Sequence, residues 1–148
     1  MELNDPIELL LKHKGGHLCC ISSLDSVYEA IAQMAREKVG ALLVISGSQL
    51  VGIVSERDYA RKVILQGRSS QTTQVSEIMS SPVIFVSPET TVGECMEIIT
   101  EHRIRHLPVM KHNQLAGIVS IGDLVNCILE AQRDHIRHLE SYIAGQAS

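Results

Sequence analysis

The sequence predicts an α/β (α+β) fold: two β-α-β-β-α motifs packed as a pseudo-two-fold pair, with a helix flanking them at each end. Three observations predict it. First, sliding the 148-residue chain on itself by 65 positions lays residues 27–64 on residues 92–129 without a gap. Val27, Glu29, Leu42, Val44, Gln49, Leu50, Gly52, Ile53, Val54, Ser55 and Asp58 all recur. Second, each copy runs through the same succession of apolar stretch, helix start, helical periodicity and paired apolar runs. Third, hydrophobic residues make up 45% of the chain, yet there are only three Tyr, one Phe and no Trp. An interior of Val, Ile, Leu, Ala and Met suits thin sheets covered by helices. Two copies are fewer than a solenoid needs to bury its faces, so they form a tandem pair. The length fits one ordinary unit or two half-sized modules sharing a core.

The elements follow in chain order. Residues 1–16 hold a helix: Asp5-Pro6 precedes IELLLKHKGG, which puts Pro at the first helical position and glycines just past the end. The first motif, residues 17–66, opens on the apolar HLCCI. Ser26 and Glu29 then form a capping box, and Val27, Ala30, Ile31, Met34 and Ala35 keep a 3.6-residue period. ALLVI and LVGIVS flank the turn formers Ser46-Gly47-Ser48-Gln49 and read as a hairpin, and a second helix starts after Ser55. Residues 67–80 are linker and a short helix, with QGRSSQTTQ (66–74) polar and nonperiodic. The second motif, residues 81–130, repeats the plan. VIFV opens it at Val83, Thr91 and Glu94 form the box, and Val92, Cys95, Met96 and Ile99 mark the helix. LPVM and LAGIVS then flank Lys111-His112-Asn113-Gln114, and a helix follows Ser120. That last helix extends through residues 131–148. Leu129, Ile136, Leu139 and Ile143 lie on or near one stripe, a packing or self-association face.

A net charge of −4 argues against a general nucleic-acid or anionic-membrane surface. Cys19, Cys20, Cys95 and Cys127 make no CxxC pair and no zinc spacing, so they read as small core residues kept reduced. MELNDPIELL lacks the basic start of a targeting segment, and no run approaches the ~18 apolar residues of a membrane helix, which leads to the expectation of a cytoplasmic protein. No GxxxxGK[ST] loop, nucleophile elbow or metal cluster is present, so no catalytic residue, metal or required cofactor is assigned. His135 and His138 lie three apart on the last helix without a third ligand and read as solvent-facing.

A tandem β-α-β-β-α pair whose copies end GIVSERD and GIVSIGD before a helix resembles the cystathionine-β-synthase (CBS) domain pair, often called a Bateman module. VSEIMSSPVIFVSPETTV and HRIRHLPV resemble the start and middle of a second CBS copy. The likeness spans residues 17–129 and leaves no room for an attached enzyme or channel, as in stand-alone bacterial two-CBS proteins.

Taken by themselves, Ser55-x-x-Asp58 and Ser120-x-x-Asp123 are good helix starts, a serine N-cap with an acid in the first turn. The resemblance adds that each carboxylate accepts hydrogen bonds from the two hydroxyls of a ribose; both roles can hold at once. It further implies that each nucleotide lies across the two copies. One site then joins Ser55, Arg57 and Asp58 to Val83, Ile84, Arg103, Arg105, His106 and Pro108. The other joins Ser120 and Asp123 to Leu18, Cys19, Lys38, Gly40, Ala41 and Leu43. The run His102-Arg103-Ile104-Arg105-His106 supplies two permanent positive charges and two titratable ones, whereas the second site has Gly40-Ala41 at the positions of Arg105-His106 and keeps only Lys38. The Asp58 site is therefore expected to be the stronger phosphate binder. Cys20 and Phe85 stand where related sequences often have threonine, which bears on adenine-edge contacts.

The function implied is regulatory: AMP, ATP or NAD(H) fills the cleft between copies and alters the protein's own packing or that of a protein partner, in a homodimer. The alternatives are a nucleotide-independent scaffold and, less in keeping with duplicated acids in symmetric copies, a nucleotide-hydrolysing enzyme.

Overall fold

The repeated glycine of the two GIVS stretches shows first how the copies are covered. A Cβ on Gly52 would stand 2.6 Å from the Met79 sulfur, and one on Gly117 would stand 2.7 Å from a Leu11 methyl. A Cβ at either place obliges the flexible Met79 or Leu11 side chain to shift, and at Gly52 it also stands 3.0 Å from the Ser80 carbonyl oxygen, so each copy has glycine where a neighbouring segment lies on its hairpin. The structure, a computed structural model, describes residues 1–15 and 18–147, and its side chains through residue 145. Gly16 and His17, where the first helix is expected to give way to the first motif, and Ser148 lie outside the described residues.

The chain divides into two units. Residues 17–84 form one; residues 1–16 and 85–148 form the other. The helix that precedes the first copy in sequence is thus part of the unit built around the second.

In the unit of residues 17–84, β1 (Cys20–Ser22), β2 (Ala41–Ser46) and β3 (Gln49–Ser55) make a sheet in the order β1-β2-β3. β1 runs parallel to β2, a pairing that needs a crossover, and α2 (Val27–Glu37) supplies it. Ser26 starts α2 by accepting the Glu29 backbone N–H at 3.1 Å. The apolar face of α2 (Val27, Ala30, Met34) packs with Leu42, Val44 and Val54 of the sheet, and with Val63, Val75 and Ile78, to form the core. After β3 come a short α3 (Glu56–Tyr59), a π-turn over Ala60–Ile64 and a 3₁₀ turn over Val75–Glu77. Met79 and Ser80 then lie against the hairpin, where Ser80 and Ile53 exchange backbone hydrogen bonds of 2.8 and 3.2 Å.

In the other unit, β4 (His106–Lys111) and β5 (Gln114–Ser120) pair antiparallel, with α4 (Val92–His102) before them and α5 (Ile121–Ala147) after. The Thr91 hydroxyl accepts the Glu94 N–H while the Glu94 carboxylate accepts the Thr91 N–H, closing the expected box. α1 (Ile7–Lys14) docks here: the Ile7 N–H donates to the Thr90 carbonyl at 2.7 Å, and the Val92 N–H to the Asp5 carbonyl at 3.0 Å. Its buried Ile7 and Leu10 share the interior with Val92, Cys95, Ile99, Leu107, Val109 and Leu124.

One expected strand is nearly absent. VIFV contracts to a single parallel bridge between Val86 and Val109, in the register that pairs Ile21 with Val44 in the first copy. The cause lies in the partner strand. In the first copy the Leu43 N–H donates to the Cys19 carbonyl at 3.0 Å, but the matching residue is Pro108, which has no N–H and removes that rung. No disulfide joins the four cysteines among the described residues; Cys95 and Cys127 are buried, and burial pushes the Cys95 thiol up to about 11.

Candidate functional site

Both repeated acids do the capping work that their spacing predicts. The Ser55 hydroxyl accepts the Asp58 backbone N–H at 3.2 Å, and Asp58 Oδ2 accepts the Ser55 N–H and hydroxyl, each at 3.0 Å. In the second copy the Ser120 hydroxyl accepts the Asp123 N–H at 3.1 Å, and Asp123 Oδ2 accepts the Ser120 N–H at 2.9 Å. Each motif therefore holds its carboxylate half-buried at a fixed helix start.

Each acid also has a lysine. Lys62 Nζ lies 3.2 Å from Asp58 Oδ1 and donates to the Ile78 carbonyl at 2.9 Å. Lys14, at the end of α1, donates to Asp123 Oδ2 at 2.6 Å and to the Ile118 carbonyl at 2.9 Å. The Asp58–Lys62 pair is an i,i+4 helical pair and was open to sequence reasoning. The Lys14–Asp123 pair spans 109 residues and left no local signal. Burial pushes the Asp123 carboxyl up, but the Lys14 ammonium and the Ser120 donors overcome this and hold it below the ordinary value.

The cations expected to meet phosphate sit at matching places. Lys38 closes α2 at φ 57°, ψ 44°, and Arg103 closes α4 at φ 54°, ψ 41°. The left-handed conformation disfavours any residue with a Cβ, by ~1–2 kcal/mol, and glycine is the usual choice. Each cap N–H donates back into its helix, to the Met34 and Ile99 carbonyls respectively. Two positions later the chain enters the hairpin: the Gly40 carbonyl accepts the Glu56 N–H at 3.1 Å, and the Arg105 carbonyl accepts the Ile121 N–H at 2.9 Å.

Strand register then sets Ala41 opposite Ser55 and His106 opposite Ser120. In residues 17–84 this gathers Lys38, Gly40, Ala41, Ser55 and Asp58 around one hairpin mouth, with Arg57 exposed beside it. In the other unit it gathers Arg105, His106, Ser120, Asp123 and Lys14. Each site expected from sequence draws residues from both units: Ser55, Arg57, Asp58, Val83 and Ile84 belong to residues 17–84, and Arg103, Arg105, His106 and Pro108 to the other. Likewise Leu18, Cys19, Lys38, Gly40, Ala41 and Leu43 fall in the first-copy unit and Ser120 and Asp123 in the second.

Two details change the chemistry expected of these residues. His106 is held below its ordinary pKa of 6.5, first by burial and then by Lys14 and Arg105, with Asp123 opposing them. At neutral pH it is an uncharged hydrogen-bonding group, and the permanent charge of the run rests on the exposed Arg103 and Arg105. Leu43 and Pro108 are buried, so their side chains are core, while Leu18, Cys19, Val83 and Ile84 are half-buried. Phe85 is 58% exposed. Sequence reasoning passed over a hollow of about 400 Å³ beside β1, lined by Cys20, Ser22, Asp25, Gln33 and Gly47 among others. Among the described residues, no three His, Cys, Asp or Glu side chains gather to hold a metal, and no helix is long and apolar enough to cross a membrane.

The CBS domain family model matches residues 17–64 and 75–130. A mitochondrial CBS domain-containing protein of Arabidopsis thaliana, CBSX3, is 45% identical over 136 residues, 88% of this chain and 66% of that protein's length. YhcV of Bacillus subtilis is 36% identical over 104 residues, 70% of this chain and 74% of its own. A solved CBS-domain protein of Burkholderia ambifaria, described as acting in signal transduction, superposes with a TM-score of 0.80 at 48% identity, covering 82% of this chain and 92% of its own. With the duplicated hairpins, the paired Ser-x-x-Asp helix starts and these likenesses together, the chain belongs to the CBS-domain family, a regulatory and ligand-binding family, and carries its motif twice.

Proposed function

We propose that the protein is a regulatory sensor of adenine nucleotides, AMP, ATP or NAD, working in the cytoplasm as a homodimer and acting on a protein partner. The observation that carries this reading is the strained cation. Two structurally equivalent positions, Lys38 and Arg103, hold a positive residue in a conformation that glycine adopts without penalty. Backbone strain kept twice at matching places points to a use for the side chain, and cations at repeated helix ends together with repeated carboxylates suit a ligand with anionic and hydroxyl-bearing ends. Asp58 and Asp123 take the ribose hydroxyls, Ser55 and Ser120 shape their loops, and Arg57, Arg103 and Arg105 receive the phosphate. Hydrogen bonds to such a charged acceptor are worth ~1.5–3 kcal/mol each.

The two sites differ in this reading. A carboxylate accepts about four hydrogen bonds. Asp58 already receives the Ser55 N–H, the Ser55 hydroxyl and Lys62, so a ribose turns the hydroxyl or the lysine away to water. Asp123 is tied to Lys14, and Lys38 is its single phosphate-facing cation, which makes that site the weaker. Ligand binding shifts the protein between states only by its differential affinity for them. The test is mass spectrometry of small molecules released by denaturing the purified protein. Stoichiometric adenine nucleotide is expected; a protein that carries none and gains no thermal stability from AMP, ATP or NAD overturns the reading and favours a scaffold.

A further inference from the structure

The last helix carries a pattern that the nucleotide reading does not use. Every residue of α5 from 132 to 145 is exposed, yet the helix is not polar all round. Val125, Leu129, Gln132, Ile136, Leu139 and Ile143 follow one another at intervals alternating four and three, the a/d seam of a heptad repeat. Its apolar members lie open to solvent: Leu129 is 43% exposed, Ile136 54%, Leu139 50% and Ile143 66%. An apolar seam on an exposed helix demands a cover of the same shape.

We infer that the stretch of α5 from Val125 to Ile143 forms a two-stranded parallel coiled coil with the same segment of a second copy of this chain. Leu129, Ile136 and Ile143 occupy a positions, and Val125, Gln132 and Leu139 occupy d. At the outer end of the seam, the β-branched Ile136 and Ile143 at a with Leu139 at d are the combination that favours two parallel strands. In register, that arrangement stacks Ile136 on Ile136, Leu139 on Leu139 and Ile143 on Ile143, and sets the single polar member, Gln132, against its own copy, where amide meets amide. The antiparallel alternative over the same seam sets Gln132 against Ile136 and buries an amide without a partner, which is unfavourable. The flanking positions agree: His135 falls at g and Glu140 at the following e, so the parallel pair brings each imidazole within hydrogen-bonding reach of the opposite carboxylate, twice by symmetry. The seam from Val125 to Ile143 is about 28 Å long at 1.5 Å per residue. This sharpens the self-association named above and is independent of which ligand binds.

The test uses the full-length protein. Leu139→Cys places one thiol opposite its own copy, whereas Ser141→Cys points away from the seam. Under mild oxidation, Leu139→Cys is expected to give a disulfide-linked dimer on a non-reducing gel, and Ser141→Cys and the parent no more than background. In light scattering, the parent is expected at about twice 16.3 kDa, and the double variant Ile136→Asp/Leu139→Asp is expected to dissociate at least 100-fold more readily. Both sites are exposed in the single chain, so its far-ultraviolet circular dichroism is expected to stay helical. A dimer that persists in the double variant overturns the coil and leaves self-association through other faces standing; a monomeric parent overturns both. Dissociation of the double variant with no Leu139→Cys cross-link overturns the parallel arrangement.

Discussion

Replacing Lys14 with methionine keeps most of the side chain's apolar length and deletes its charge. The ammonium donates to Asp123 at 2.6 Å and to the Ile118 carbonyl at 2.9 Å, and the side chains are 35% and 25% exposed. An open surface pair contributes up to ~1 kcal/mol and a hydrogen bond to a charged group ~1.5–3 kcal/mol. Partial exposure places this pair between them, at about 1–2 kcal/mol. For a chain of this length ~1 kcal/mol shifts the melting temperature by ~2–4 °C, so Lys14→Met is expected to melt about 2–8 °C lower at pH 7. The pH dependence identifies the partner. The Asp123 pKa is depressed in the folded protein, so its stabilisation is complete above the ordinary aspartate value of 3.8 and is lost as pH falls through the lower folded value. Without Lys14 the folded carboxyl rises toward the unfolded one and that loss shrinks. Melting followed by circular dichroism from pH 7 to pH 3 should therefore show a gap between parent and variant that narrows below pH 3.8. A gap of constant size across that range would mean that Lys14 acts through its stem, and no gap at pH 7 would mean that the pair contributes nothing.

Two further expectations separate structure from use. Arg103→Gly relieves the left-handed cap and should raise the melting temperature of the free protein by a few degrees, while weakening AMP binding far more than adenosine binding in calorimetry; equal losses for both ligands would place Arg103 away from the phosphate. His106 is kept neutral by burial, so the unfolded chain binds its proton more readily and stability should decline as pH drops below 6.5. His106→Gln should flatten that decline in a melting series from pH 7.5 to 5.5, and an unchanged slope would assign it to other groups.

Much of this architecture was legible because it is local and duplicated. The capping boxes at Ser26 and Thr91, the hairpins and the Ser-x-x-Asp helix starts all lie within a few residues, and the 65-residue repeat let each copy check the other. The near loss of the VIFV strand was visible in principle, since Pro108 stands where Leu43 donates a ladder hydrogen bond, but an apolar run alone does not reveal a rung missing on its neighbour. The tie between Lys14 and Asp123 was not legible. Nothing in α1 indicates that it packs with the second copy, and only the close approach of Leu11 to Gly117 shows why that glycine recurs. The protonation of His106 was equally hidden, because burial, which sequence does not measure, outweighs the neighbouring carboxylate.

In the proposed function Asp58 holds a ribose as well as capping a helix, and Asp58→Asn divides the two roles. Asparagine keeps the shape and much of the capping ability, so the free variant should lose no more than about 1 kcal/mol. A ligand at about 100 times its dissociation constant stabilises the native state by roughly 2.7 kcal/mol, a rise of about 5–10 °C at ~2–4 °C per kcal/mol. The direct measurement is the melting temperature of parent, Asp58→Asn and Asp123→Asn with and without saturating AMP, ATP or NAD. A rise of several degrees in the parent, largely abolished in Asp58→Asn and less affected in Asp123→Asn, is the expected result; a full rise retained by Asp58→Asn would reduce that carboxylate to a helix cap and contradict the account.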